Sequence, residues 1–235
     1  MSFKTILVAG ASRGIGLAVA EHLVSQSNRL LTVSRTAAPF GEWIQADLSE
    51  LADVTTVAKT IGDDPLDALL YMGGTWETHA FTSQYSFEEC SDADIAQVIA
   101  VNLVAPIRLV KVLLPALRQS ENPKIIFMGA LSGRDNFPGR EVANSASKFG
   151  LRGVVHSLRE ELRSQQISVT VINPGNVGTP EVLADLAAEN LLGGEAIPLT
   201  DLLIIIDCIL SLSRATCIKE IDVPAMQGHF ILKEG

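Results

Sequence analysis

The chain has 235 residues, 47% of them hydrophobic, and a formal net charge of −9. That length and apolar content suit one sizeable domain with a buried core, and the acidic balance argues against nucleic acid or an anionic membrane as the main partner. Cys90, Cys208 and Cys217 are odd in number and scattered, which fits neither a disulfide framework nor a zinc site and suggests reduced thiols in a cytoplasmic protein.

The first residues, MSFKTILVAG, enter a strand-like run at once, without the layout of a signal peptide. Residues 4–10 are β-rich and end in glycine; residues 14–26 carry apolar positions at helical spacing. A second strand is predicted over 29–35, a short third over 42–49, a helix over 51–62 with a glycine stop, and a fourth strand over 66–74. A long helical region runs from about 92 to 117, a fifth strand over 124–133, a long helix over 141–165 and a sixth strand over 167–175. Residues 176–198 read as loop and short helix, 199–213 as helix, and IKEIDVPA as a last strand. The longest apolar run, 202–210, is interrupted by Asp207 and falls short of a membrane span. Strands alternating with helices predict a parallel sheet covered on both faces, hence a single-domain α/β Rossmann fold with a doubly wound parallel sheet. No repeat or linker-like composition shift divides residues 1–235.

The stretch VAGASRGIG joins the first strand to the first helix, with Gly10, Gly14 and Gly16 in a G-x-x-x-G-x-G pattern. A strand that turns sharply into a helix can bring its backbone against a pyrophosphate, and the helix start supplies free N–H groups and a positive dipole end. The flanking strand and amphipathic helix make nucleotide binding the expectation here over a merely structural turn.

From about Lys4 to Pro180 the chain resembles the short-chain dehydrogenase/reductase family. GASRGIG is similar to that family's cofactor loop, with Ala9 where the family usually has threonine; on this resemblance Gly10, Ser12, Arg13, Gly14, Ile15 and Gly16 touch the cofactor. ADL at 46–48 is similar to the adenine-binding segment, which assigns Asp47 and Leu48 to the cofactor. LLYMGG corresponds to the family's asparagine-asparagine-alanine-glycine motif, with Tyr71 and Met72 at both asparagine positions and Gly73 and Gly74 in the cofactor wall. VNLVAP keeps the family asparagine as Asn102, and NPGNVGT is similar to the nicotinamide-side segment, assigning Pro174, Val177 and Thr179. The end of the second strand offers Ser34 and Arg35 where an NAD-binding protein would place an aspartate. With Arg13, two cations and no acid suit a 2′-phosphate by charge and by forked hydrogen bonding, so NADP(H) is the expected cofactor.

In the family a tyrosine protonates the carbonyl oxygen, a lysine four residues on lowers its pKa and holds the ribose, a serine orients the carbonyl, and an asparagine supports a water relay. Lys148 and Asn102 match those roles, but the tyrosine position is Asn144 and the serine position is Ala130, with Ser132 two residues later. The only tyrosines, Tyr71 and Tyr85, lie far upstream. A carboxamide is no acid at neutral pH, and losing a general acid removes about 10²–10⁴ in rate, whereas orienting hydride donor and acceptor can supply effective molarities on the order of 10⁵ M. The remaining groups suit hydride addition to a conjugated enone: Asn144, Ser132 and Lys148 would stabilise the enolate oxygen. Two classes compete: an NADPH-dependent reductase of a small molecule with an altered site, and a catalytically silent NADP(H)-binding protein.

Trp76, Phe81 and Tyr85 follow the fourth strand, where a ligand crevice opens or where they simply pack. Residues 176–198, including Asp185 and Glu189, are a candidate substrate lid. His22, His79, His156 and His229 have no metal-ligand spacing. The resemblance further implies a homodimer or homotetramer built on helices 92–118 and 141–165.

Overall fold

A computed structural model describes residues 3–135, 139–188 and 196–226. Seven strands form one all-parallel sheet: β1 (Phe3–Ala9), β2 (Ser27–Ser34), β3 (Glu42–Gln45), β4 (Ala68–Tyr71), β5 (Lys124–Met128), β6 (Ser168–Pro174) and β7 (Glu220–Val223). Their spatial order is β3-β2-β1-β4-β5-β6-β7, so the chain winds outward from β1 in one direction and then reverses. The reversal lies between β1 and β4, the switch point at which such sheets open a crevice beyond the carboxyl ends of their strands.

The central strands read as near-continuous apolar runs because helices cover both faces. Leu7, Leu31, Leu69, Phe127 and Val169 pack on one side with α2 (Leu51–Ile61), α4 (Ala105–Arg118) and α5 (Val142–Leu162). Ile6, Val8, Leu70, Ile126 and Ile172 pack on the other with α1 (Gly14–Val24) and α7 (Leu199–Ser211). The element order of the sequence reading is borne out, including the last strand.

Three strands are shorter than expected. Segments 46–49, 72–74 and 129–133 leave the sheet at its carboxyl edge, which is what clears the crevice. The region from 92 to 117 is also not one uniform helix. α3 (Asp92–Ile99) passes through a wide π turn at Ala100–Val104 before α4; such turns re-aim side chains and recur at functional sites. An 18-residue window of the Asp92–Arg118 run reaches a mean hydropathy of 1.9, but Val98, Leu109, Val110, Leu113 and Leu117 of that run are buried in this fold. Within 176–198, α6 spans Pro180–Ala188 with Asp185 exposed; Glu189, like His229, lies outside the described residues.

Candidate active site

The phosphate loop sits at the switch point. Gly10 has φ +84°, and a Cβ there would lie 2.6 Å from the Cα of Gly73. The ends of β1 and β4 thus approach more closely than any side chain permits. A Cβ on Gly16 would come 2.0 Å from the carbonyl oxygen of Gly10, which is backbone and cannot yield, whereas at Gly14 it would meet nothing nearer than 4.0 Å. α1 begins without a side-chain cap and without an acidic residue in its first turn, so its N–H groups and positive end are left for an anion. These features fit the pyrophosphate of a nicotinamide dinucleotide. Gly16→Ala is therefore expected to weaken nicotinamide-cofactor binding at least about tenfold and to destabilise the fold by an overpacking cost of roughly 1–3 kcal/mol. Gly14→Ala should meet only backbone strain, and parallel fluorescence titrations and thermal melts would separate the two.

At the end of β2, the side chain of Arg35 is 66% exposed, with only a 3.9 Å approach to the Asp47 carboxylate, and Arg13 is exposed. Ser34 is less available than its sequence position suggests. Its hydroxyl donates to the Thr36 carbonyl at 2.7 Å and receives the Trp43 indole N–H at 3.2 Å. The Asp47 carboxylate is oriented by the Ser49 N–H and hydroxyl at 3.0 and 2.7 Å. Leu48 and Ile15 pack against the two faces of the core. Across the crevice, Pro174 closes β6, Val177 is bridged to Ile197, and buried Thr179 caps the start of α6 by accepting the Val182 N–H at 3.3 Å.

The residues predicted to carry chemistry do come together. Asn144, Ser147 and Lys148 lie on one buried stripe of α5. Asn144 Nδ2 donates to Ser132 Oγ at 3.2 Å, so the serine two residues beyond Ala130 reaches Asn144. Lys148 Nζ donates to the Met128 carbonyl at 3.0 Å, and burial pulls its pKa down to about 8. Asn102, turned inward by the π turn, is fully engaged. Its Oδ1 accepts the Thr75 N–H at 2.9 Å, and its Nδ2 donates to the Thr75 carbonyl at 2.7 Å and to Ser147 Oγ at 3.1 Å. Gly74 lies between Asn102 and Lys148, each 3.8 Å from where its Cβ would be.

The sequence reading missed how α5 is started. Glu141, its N-cap, makes no capping bond with its side chain. A distant segment does the work instead. The Tyr85 hydroxyl accepts the Val142 N–H at 3.1 Å, and Glu77 Oε1 accepts the N–H groups of Ala143 and Asn144 at 2.7 and 3.2 Å. Glu141 in turn accepts the N–H of Phe81 at 2.9 Å. The loop after β4 is thereby stitched onto the helix that carries Asn144, and it holds His79 and Phe81 at φ +59° and +64°, a strain that only over-determined surroundings sustain. Tyr85 is buried, whereas Trp76 and Phe81 are exposed and meet edge to face at 5.8 Å. An α5 start without Ser, Thr, Asp or Asn at its cap was the available signal that an acceptor must come from elsewhere.

A second missed network reaches the segment that carries Ser132 through the Gly133 carbonyl. Arg152 donates to Glu220 at 2.6 Å and to the Gly133 carbonyl at 2.9 Å; Arg134 pairs with Glu220 and Asp222; Asn173 donates to both acids. His156, on the solvent side, comes within 4.0 Å of Glu220. Among the described residues no cluster of His, Cys, Asp and Glu is arranged for a metal. A cleft of 380 Å³ lies at the opposite end of β6, among Arg159, Arg163, Arg214 and Lys219, away from these groups.

A doubly wound sheet with a glycine cradle at its switch point and a buried Asn–Ser–Lys set beside it defines a nicotinamide-dependent oxidoreductase fold. The chain belongs to the short chain dehydrogenase family, which it matches over residues 4–189. It is 30% identical over 193 residues to the short chain dehydrogenase adrF of Penicillium roqueforti, covering 76% of this chain and 72% of that one. It is 27% identical over 194 residues to the 3-dehydrosphinganine reductase TSC10B of Arabidopsis thaliana, covering 77% of this chain and 57% of that one. The crystal structure of a metagenomic short-chain oxidoreductase in complex with NADP superposes with a TM-score of 0.76 at 26% identity, covering 96% of this chain and 99% of the other.

Proposed function

We propose that the chain is an NADP(H)-dependent reductase of a small molecule, with an active site altered to work without a tyrosine acid. The observation that carries this is the contact between Asn144 Nδ2 and Ser132 Oγ, buried on the stripe of α5 that also bears Lys148. Gly10, Gly14, Gly16, Gly73 and Gly74 would line the dinucleotide, Arg13 and Arg35 would take the 2′-phosphate, Asp47 the adenine, and Thr179 the carboxamide. The cofactor supplies a hydride. The chain supplies two neutral donors and an ammonium, which can stabilise negative charge on an oxygen but include no phenol to protonate it. A conjugated C=C or an activated carbonyl suits that set. A panel of ketones, enones and alcohols followed at the nicotinamide absorbance tests it. Negligible turnover of unactivated ketones and measurable NADPH oxidation with an enone are expected, with a lower rate in Asn144→Ala.

One observation favours the second reading, a silent NADP(H)-binding protein: Asn102 and Lys148 already have protein partners. Tight NADPH binding with no turnover of any compound would install it. The cofactor choice has its own test. Arg35→Asp should weaken NADPH binding about tenfold or more while sparing NADH, the scale of one charge-assisted contact; equal losses for both cofactors remove Arg35 from that role. Val142, Phe149 and Ile107 are exposed on α5 and α4, which supports assembly through these helices; a dimeric or tetrameric mass by light scattering is the expected result.

A further inference from the structure

Glu77 is used by the fold only in half. Its Oε1 caps α5, but its Oε2 is buried and meets no hydrogen-bond partner. The residue is 1% exposed, and among the described residues no lysine, arginine or histidine pairs with it. An enclosed carboxylate without a counter-charge is costly unless something completes it. The carboxylate bonds the backbone N–H of Asn144 itself, and the neighbouring Trp76 and its edge-to-face partner Phe81 leave aromatic surface exposed, which attracts cations. The surroundings have the same sign. Between Lys59 and Arg108 the sequence contains neither lysine nor arginine, while 75–94 holds Glu77, Glu88, Glu89, Asp92 and Asp94. A cleft of 320 Å³ on this loop is lined by Glu89 and Asp94 beside Thr78 and His79. Such a field draws cations toward the site.

We infer that the hydride acceptor of this site is a cation, an iminium C=N⁺ group flanked by apolar carbon, with Glu77 as its counter-charge and Trp76 and Phe81 as its aromatic rim. It holds only if the chain is a reductase as proposed above, and it removes the need for the absent acid. When hydride reaches the iminium carbon, a C–H bond forms and the C=N π pair becomes the lone pair of a neutral amine. Two electrons are transferred and no proton is required. A ketone acceptor would develop an alkoxide here and lack a proton donor; the cation loses charge instead. Lys148, with its pKa lowered to about 8, is still an ammonium at neutral pH, but its Nζ is turned onto the Met128 carbonyl.

The test compares N-methyl-3,4-dihydroisoquinolinium, its unreactive relative N,N-dimethyl-tetrahydroisoquinolinium and the neutral isostere 1-tetralone on the NADPH-loaded protein. Binding is read by tryptophan fluorescence and calorimetry, and reduction by NADPH absorbance. Both cations should bind about 100-fold tighter than 1-tetralone, the scale of one buried charge partner, and the iminium alone should consume NADPH. Glu77→Gln keeps an oxygen for the α5 N–H groups; it should preserve the melting temperature and NADPH affinity and erase the preference for the cation. Should that variant fail to fold, Trp76→Ala, at an exposed position, should weaken both cations and leave 1-tetralone unchanged. Equal affinity for cation and neutral isostere, or a preference that survives Glu77→Gln, overturns the inference. So does an iminium that binds without being reduced. In each case turnover of an enone would leave the reductase standing, and absence of all turnover would remove both.

Discussion

Lys148→Met is expected to melt higher than the parent at neutral pH and to bind a nicotinamide cofactor poorly. Lys148 is buried on α5 with its ammonium donating to one carbonyl, and burial lowers its pKa from 10.5 to about 8. The unfolded chain keeps this proton up to about 10.5, whereas the folded chain releases it near 8. Below pH 8 the folded state therefore carries the full penalty of a desolvated charge, and stability rises with pH between the two values. The shift corresponds to about 3 kcal/mol at neutral pH. Methionine is unbranched and of similar length, and it removes the charge while leaving the Met128 carbonyl without its donor, a loss of roughly 1–3 kcal/mol. A net gain of about 1 kcal/mol at pH 7 follows from these terms, and it should vanish or reverse by pH 10, about two units above the folded pKa, where the folded parent lysine is almost wholly neutral and most of the penalty is gone. Thermal melts at the two pH values measure it directly. A variant that melts lower at pH 7 would mean that the ammonium has a stronger partner than the Met128 carbonyl. A stabilising substitution that disables the site is the expected signature of a residue kept for chemistry rather than for folding.

The parallel sheet was legible because its strands are buried on both faces and announce themselves as apolar runs, while α1, α2 and α5 carry helical spacing between them. The phosphate loop was legible because only glycine satisfies its geometry, which the close approach of Gly10 to Gly73 bears out. The pairing of Ser132 with Asn144 was reachable by counting along one strand and one helix. Glu77 was not, because its capping role depends on a fold that carries residue 77 across to residues 143 and 144, and nothing local to TWETHA signals that crossing. The ion pairs around Glu220 were hidden for the same reason: Arg134, Arg152, Asn173 and Glu220 are joined by sheet order, not by sequence spacing. Strand ends were misjudged where apolar residues continue past the sheet edge, as at Leu131 and at Met72, which packs into the core past the end of β4.

Glu220→Gln should cause the other large change, in stability and in the placement of Ser132 together. Glu220 sits on the edge strand β7 and receives Arg152 at 2.6 Å, Asn173 at 2.7 Å and Arg134 at 3.2 Å. Burial pushes its pKa up, but hydrogen bonds from Arg152 and Asn173 and the charges of Arg152 and Arg134 outweigh that and hold it below the ordinary 4.5. A glutamine would keep an acceptor for Asn173 but take the carboxylate partner from Arg152, whose side chain is only 18% exposed, while Arg134 keeps Asp222 at 2.9 Å. Breaking a fully buried pair costs about 3–5 kcal/mol; partial exposure of this one brings the expectation down to roughly 2–3 kcal/mol. The sign of the pH dependence follows from the lowered pKa. The contribution is complete above the unfolded value of 4.5 and is lost as pH falls through the lower folded value, where the folded carboxylate finally takes up its proton. Melts from pH 7 down to pH 3 should therefore converge for parent and variant at the acid end. Arg152 also holds the Gly133 carbonyl at 2.9 Å, so the variant should show faster amide exchange over 131–134 at neutral pH. Loss of the Ser132 contact to Asn144 would then lower turnover of whichever acceptor the enzyme reduces, with nicotinamide-cofactor affinity preserved because the glycine cradle at β1 and β4 stands apart from this network. Unchanged exchange at 131–134 in a destabilised variant would confine the Glu220 network to fastening β7 and separate it from the active site.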